Sequence, residues 1–274
     1  MKKLLLVLFL SICVLFLKAQ SSGLAFQSGE TLQYTGYYNI GFIWVKAAKV
    51  SFRTTLDSDN YSVYSTCASA KAWDWFFKVR DTMSVTGTRC NFLPSKFERV
   101  VHEGGYLAHF DYKFDYDKAK ITSNGFKRKD IFVNKEIKLD TPAIDVITFS
   151  LSIRNIDFNK YRVGDKIPVR LIISNEIYNL YIRYKGIENV KLKSGERIEC
   201  YKIAPMLIKG NTFSGGESMM VWISKDKNRV PVMATAEVVV GSIKAILASY
   251  ENIRYTSKIF PQTSGVMGKQ PSDS

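Results

Sequence analysis

Along most of this chain apolar and polar positions alternate with a period of two, in short runs separated by turn residues. Met219–Ile223, which is apolar throughout, Val232–Val240 and Ile243–Tyr250 are three strand-length runs in succession. Lys225–Arg229 is a polar break between the first two, Pro231 stands at a strand start where a missing amide is tolerated, and Gly241–Ser242 allows a tight reversal. The product is an antiparallel meander whose side chains need a second layer to cover them.

The remaining runs read in the same way. Leu32–Tyr38 and Phe42–Thr55 form a hairpin across Asn39–Ile40–Gly41, and Tyr61–Ala70 follows the turn Asp57–Asn60. Phe97–Asp117 is a strand pair closed by Glu103–Gly104–Gly105–Tyr106. One of its faces carries Phe97, Val101, Tyr106, Ala108, Phe110, Tyr112 and Phe114, and the other carries Glu98, His102, His109 and Asp111, with Val100 and Leu107 among them. Ile121–Ser123 and Phe126–Val133 continue the sheet, with a reversal expected at Asn124–Gly125. Strands resume after Val163–Asp165 at Ile167–Ser174, Tyr178–Ile187 and Arg197–Ala204.

One stretch switches to the helical period. Thr141–Asn155 has Thr141 as its cap, Pro142 at its first position and Asp145 near its positive end. Ile144, Ile147 and Leu151 form an apolar stripe that Val146, Phe149 and Ile153 widen, so the helix is expected to be buried against the concave side of the sheet. About a dozen strands and one helix are more than a flat open sheet holds. The expectation is a mainly β protein: antiparallel meanders forming a strongly curved sheet or open barrel around one buried helix. Residues 20–256 make one β-rich domain, with lobes at 28–140 and 163–256 on either side of helix 141–155. The Pro- and Gly-containing polar tail 257–274 is expected to be disordered.

Composition adds the compartment. Met1–Ala19 joins two lysines to an apolar run and a small residue before Gln20, the pattern of a secretory signal peptide cleaved near Ala19. Its apolar run is too short for a membrane span, and Cys13 lacks the small residue before it that a lipoprotein signal needs. Processing removes Lys2, Lys3 and Lys18, so the formal charge falls from +14 to +11 over 255 residues. That charge favours anionic headgroups or acidic polymers, but the basic residues are spread along the chain and first read as a solubilising surface. Export and the lack of a recognisable motif argue against nucleic acid. Cys67, Cys90 and Cys200 show no zinc spacing; Cys67 reads as a buried free thiol, with a Cys67–Cys90 bridge open.

Gly29–Glu30 with Leu32 and Tyr34, Asp145–Arg154, the run Trp222–Val232 and Gly241–Ser242 together resemble domain-of-unknown-function family 3108, a group of exported bacterial proteins. The resemblance covers most of residues 28–252 and says least about 57–135. It implies an envelope-located, β-rich protein and brings no activity, ligand or catalytic residue.

Candidate chemistry is sparse. His102 and His109 share a face with Asp111 and Glu98, which makes a metal site conceivable, yet the face is polar and solvated and no metal or cofactor is expected. Metal-assisted hydrolysis there is the enzymatic alternative. No nucleophile elbow, phosphate loop or dinucleotide fingerprint occurs. Asp226 and Asn228 lie among Lys225, Lys227 and Arg229, so a turn fits them better than calcium. Glu30, Asp81 and Asp145 sit in apolar segments and need partners, for which Arg80, Arg154 and Arg229 are available. Trp73, Trp75, Phe77, Phe110, Tyr112 and Trp222 are the side chains expected to line a concavity holding a lipid-like or other apolar molecule. The reading at this stage is a non-catalytic, periplasmic or extracellular envelope protein that binds such a ligand. The alternative is an interaction or structural module docking to an envelope protein partner.

Overall fold

The computed structural model describes residues 23–75, 77–192, 195–209 and 215–260; the signal-peptide expectation and the tail from Pro261 lie outside them. Fourteen strands form one antiparallel sheet. They are β1 (Thr31–Ile40), β2 (Ile43–Leu56), β3 (Asn60–Ser69), β4 (Arg80–Thr88), β5 (Pro94–Glu103), β6 (Tyr106–Asp115), β7 (Lys120–Lys127) and β8 (Asp130–Lys138). After helix α1 (Val146–Arg154) come β9 (Lys166–Ile173), β10 (Glu176–Lys191), β11 (Arg197–Pro205), β12 (Met219–Ser224), β13 (Pro231–Glu237) and β14 (Ser242–Glu251). Their spatial order is β8 to β1 followed by β14 to β9, so each half is a meander and the two meet where β1 pairs with β14.

The sheet is not closed into a barrel: β8 and β9 are its edges. The chain linking them crosses the concave side and fills it. Ile144 pairs with the free edge of β9, its amide donating to Arg170 O at 3.0 Å and its carbonyl accepting from Ile172 N at 3.0 Å. The β9–β10 turn docks across the gap, where Asn175 N donates to Tyr112 Oη at 2.9 Å and Ser123 Oγ lies 2.7 Å from Asn175 Oδ1. Hydrogen bonds and the α1 segment thus do the work of a missing strand pair.

The helix is shorter than its sequence pattern. Residues 141–145 are not helical, Ile144 pairing with the β9 edge, and the cap is extended Asp145 rather than Thr141. Asp145 Oδ1 accepts from Ile147 N at 2.8 Å and Thr148 N at 2.9 Å, while Oδ2 accepts from the Thr148 hydroxyl at 2.6 Å. Ile147 and Leu151 pack into the core beneath β3–β7, and Ile153 into the core beneath β9–β12. A third apolar cluster, with Trp222, Val232 and Leu32, lies around the central strands.

Two further expectations are corrected, and one alternative left open is closed. The reversal foreseen at Asn124–Gly125 does not occur: β7 runs through it with a bulge and turns at Arg128–Lys129. Gly125 is there because a Cβ at that position would come within 2.0 Å of His109 O. The tail does not leave the fold at Ser257, since Phe260 is 2% exposed and its ring meets Tyr250 edge-on at 4.8 Å. Cys67, half-buried on β3, and exposed Cys90 are free thiols. Cys67 pairs with Asp81 near one end of the β3–β4 ladder and Cys90 follows its other end. At about 3.3 Å per residue, that separation is far beyond disulfide reach. No helix among the described residues is long and apolar enough to cross a membrane.

Candidate functional site

The concavity is packed. Phe110 and Tyr112 of β6 point into it and are 2% and 1% exposed, covered by Phe97, Ile147, Leu151 and Ile172. Aromatic rings meet here in a chain, Phe97 to Tyr112 at 5.8 Å, Phe110 to Phe132 at 5.6 Å and Tyr112 to Phe114 at 6.4 Å. The space left between Phe97, Arg99, Phe110, Tyr112, Val146 and residues 172–174 amounts to about 10 Å³, room for about one water molecule. Arg99 lines it, and its Nε has no hydrogen-bond partner among the described residues.

The six side chains expected to share one cavity are therefore dispersed. Phe110 and Tyr112 lie in the core beside α1. Trp222 belongs to the central cluster, with the Lys202 ammonium 5.1 Å from its ring centre. Trp73, Trp75 and Phe77 stand outside the concavity on the β3–β4 connection. Local alternation identified apolar strand faces correctly, but it could not place a loop cluster relative to a strand.

His102 and His109 do share the outer face of β5–β6, since His109 pairs with Val100 and His102 with Leu107. His109 Nε2 lies 3.0 Å from Glu98 Oε1, Asp111 is 3.7 Å from Lys96 Nζ, and the His102 amide donates to Asp81 Oδ1 at 2.9 Å. Among the described residues no three His, Cys, Asp or Glu side chains converge in a way that could hold a metal ion.

The buried charges sit at the end of the sheet where β1 begins. Arg154 is 2% exposed and forms an ion pair with fully buried Glu30; its Nη2 reaches Glu30 Oε2 at 3.0 Å, Asn228 O at 2.9 Å and Ala25 O at 3.1 Å. The guanidinium lies over the Phe26 ring at 5.2 Å. Asn228, buried in the β12–β13 turn, donates from Nδ2 to Tyr255 O at 2.6 Å and accepts from Tyr255 N at 2.7 Å. Asp226 orders that turn through the amides of Asn228 and Arg229 and the hydroxyls of Ser224 and Ser257. So Glu30, Arg154 and the Asp226–Arg229 stretch, far apart in sequence, form one latch between the start of β1, the helix and the end of β14. The other carboxylates do not follow the expected pairing: Arg80 holds Asp74 and not Asp81, while Asp145 is met by Thr148 and backbone amides.

The opposite end of the sheet carries what the sequence did not reveal. Register places the β1–β2 tip, the β13–β14 turn, the β3–β4 connection, the β5–β6 turn and the β7–β8 turn along this one edge. Eight of the thirteen exposed large apolar side chains among the described residues lie on or beside it: Phe42, Ile43, Trp44, Trp75, Phe77, Leu107, Val239 and Val240. Phe42 is 104% exposed and Trp75 81%. The tips are braced from behind. Tyr38 Oη donates to Val240 O at 2.6 Å, Trp73 Nε1 to Lys46 O at 3.0 Å, and Arg80 clamps Asp74 at 2.5 Å and Ser69 Oγ at 2.9 Å. Lys46, Lys71, Lys78, Arg128 and Lys129 are exposed on the same edge, and the Lys244 ammonium sits 4.1 Å from the Trp44 ring centre. Of the acidic groups there, Asp74 is tied to Arg80, burial raises the pKa of Glu103, and Asp130 and Glu237 are exposed. The sequence placed this hairpin turn at Asn39–Ile40–Gly41 and began the next strand at Phe42; in the structure the turn is Gly41, at φ +62°, with Phe42, and β2 starts at Ile43.

Known proteins add a fold. No curated protein matches the chain. The crystal structure of a β-barrel-like protein of family DUF1849 from Brucella abortus aligns over 84% of this chain and 99% of its own, at 9% identity and a TM-score of 0.55. Two others align at TM-scores of 0.32 and 0.30. One is a protein described as exported, with a YmcC-like fold, from Bacteroides fragilis (10% identity, 82% of this chain and 97% of that one); the other is described as a lipoprotein from Parabacteroides distasonis (11%, 85% and 100%). The fold is thus β-barrel-like and mostly antiparallel. Residues 33–248 match the family described as "Protein of unknown function (DUF3108)", a span that takes in most of the latch and the exposed edge, and the chain belongs to that family.

Proposed function

We propose that this protein is a non-catalytic module of the cell envelope that acts through its outer surface, the inside of its curved sheet being taken up by its own packing. The observation that carries this reading is the packing against α1: among the described residues, the pocket between Phe97, Arg99, Phe110, Tyr112, Val146 and residues 172–174 holds about 10 Å³, whereas sites for drug-sized ligands run to about 300 Å³ or more. An apolar ligand held inside would have to displace the helix. The signal-like pattern of Met1–Ala19 supports delivery across the cytoplasmic membrane. The isolated His109–Glu98 and Lys96–Asp111 pairs give hydrolysis no nucleophile–base arrangement to start from.

Native mass spectrometry of the processed chain, gently purified from its own compartment, tests this reading. The expected spectrum contains the polypeptide mass alone. A stoichiometric apolar adduct that disappears in Phe110→Ser, while the variant still folds, would replace the surface module with a ligand carrier.

A further inference from the structure

Deepening the surface-module reading, and resting on it, we infer that the edge carrying the β1–β2 tip and the β13–β14 turn docks onto an anionic lipid bilayer.

The inference comes from how the two kinds of side chain are layered. Phe42, Ile43 and Trp44 occupy the outermost positions of the hairpin, and Val239 and Val240 the outermost positions of the adjoining turn. Lys46 and Lys244 follow each tip by a few residues along β2 and β14, at about 3.3 Å per residue. Along the backbone the apolar tips are thus foremost, with Lys46 and Lys244 a few residues behind them and the Lys244 ammonium reaching forward to the Trp44 ring. That is the depth order of a bilayer surface, where apolar groups reach about 5–10 Å into the headgroup boundary and cations stay with the phosphates. Trp44 suits the boundary itself, being an amphipathic ring with a cation over its face. Lys71, Lys78, Arg128 and Lys129 extend the positive field along the same edge, against exposed Asp130 and Glu237.

A protein partner fits these features less well. The exposed apolar side chains are spread over several turns along the edge, and a protein would need a surface matched to all of them. A fluid surface admits all of them at once. The braces behind the tips hold the projections in a fixed array, so little conformational freedom is lost on docking.

The test is sedimentation of the processed protein with phosphatidylcholine vesicles containing about 30% phosphatidylglycerol, compared with phosphatidylcholine alone, read together with tryptophan emission. Binding to the anionic vesicles with a blue shift is expected, and its loss at about 1 M salt, where the screening length is about 3 Å. Phe42→Ser/Ile43→Ser should weaken binding at least about ten-fold, two apolar side chains being removed from the inserted tip. Lys46→Gln/Lys71→Gln/Lys78→Gln should weaken it about a hundred-fold, since each lysine near an anionic surface is worth about five-fold. All five positions are exposed, so an unchanged thermal transition checks folding. Binding that the tip variant leaves intact would overturn the inference, charge alone being enough. No binding to either vesicle, with the tip variant losing a cross-link to an envelope protein, would also overturn it while leaving the surface module in place. An apolar adduct in the native mass spectrum is the separate result that removes the module itself.

Discussion

At the scale of single residues, the most consequential contact is between Arg154 and Glu30. Both are buried, and the arginine is further held by two carbonyls and the Phe26 ring. Desolvation offsets much of the attraction in such a pair, so the pair is worth more as a constraint on geometry than as net stability. Arg154→Met should lower the unfolding free energy by about 3–5 kcal/mol, because Glu30 is left charged and unpartnered; Glu30→Leu/Arg154→Met should recover most of that loss. Denaturant titrations of the three proteins check this, and a double variant as unstable as the single one would mean that the carbonyl contacts matter more than the charge pair. The same scale explains the thiols. Burial pushes Cys67 up to about 11 and Cys200 to about 12, which keeps both protonated and unreactive at neutral pH.

At the scale of elements, α1 shows what a period reveals and what it conceals. Ile147, Leu151 and Ile153 were legible as its buried side, but Thr148 and Arg154, polar and equally buried, were not. Their partners, Tyr61 on β3 and Glu30 just before β1, lie far away in sequence. Burial also raises the Asp145 carboxyl to about 6, against the pull of the Thr148 hydroxyl and the amides it caps. A folded value above the unfolded one means that the native chain takes up this proton more readily. The stability it contributes is therefore fully present below about pH 4 and is lost as pH rises through about 6. Asp145→Asn keeps an acceptor for the cap and removes the ionisation. Relative to wild type it should gain about 2–3 kcal/mol between pH 4 and pH 7, measured as the difference between two pH series of denaturant unfolding. Among the strands, β5 and β6 were legible because their two faces differ, and the C-terminal meander because Lys225–Arg229 and Gly241–Ser242 bound its apolar runs. β4 was missed because Thr82, Ser84 and Thr86 alternate with Asp81, Met83 and Val85, leaving little contrast between its faces. The exposed edge was illegible for another reason: whether Phe42 ends up outermost depends on where neighbouring strands stop, which no single run records.

At the scale of the whole molecule, the two lobes share one helix. Ile147 and Leu151 complete one core and Ile153 another, so neither half is finished without the segment between them. Far-UV circular dichroism and tryptophan fluorescence should report one coincident unfolding transition, and a chain ending at Asp140 should show none. Two resolved transitions would mean that the halves fold independently. The seam in the middle of the sheet has a kinetic side as well. Thr31 pairs with Glu251, so the first strand to be made waits for the last before both of its edges are satisfied. Contacts of such sequence separation form slowly, because a long loop must close before they reward it. Until α1 and β14 are made, β1–β8 have neither a finished core nor a partner for the outer edge of β1. A polypeptide that completes its sheet only with its final strand stays threadable for as long as it is being made.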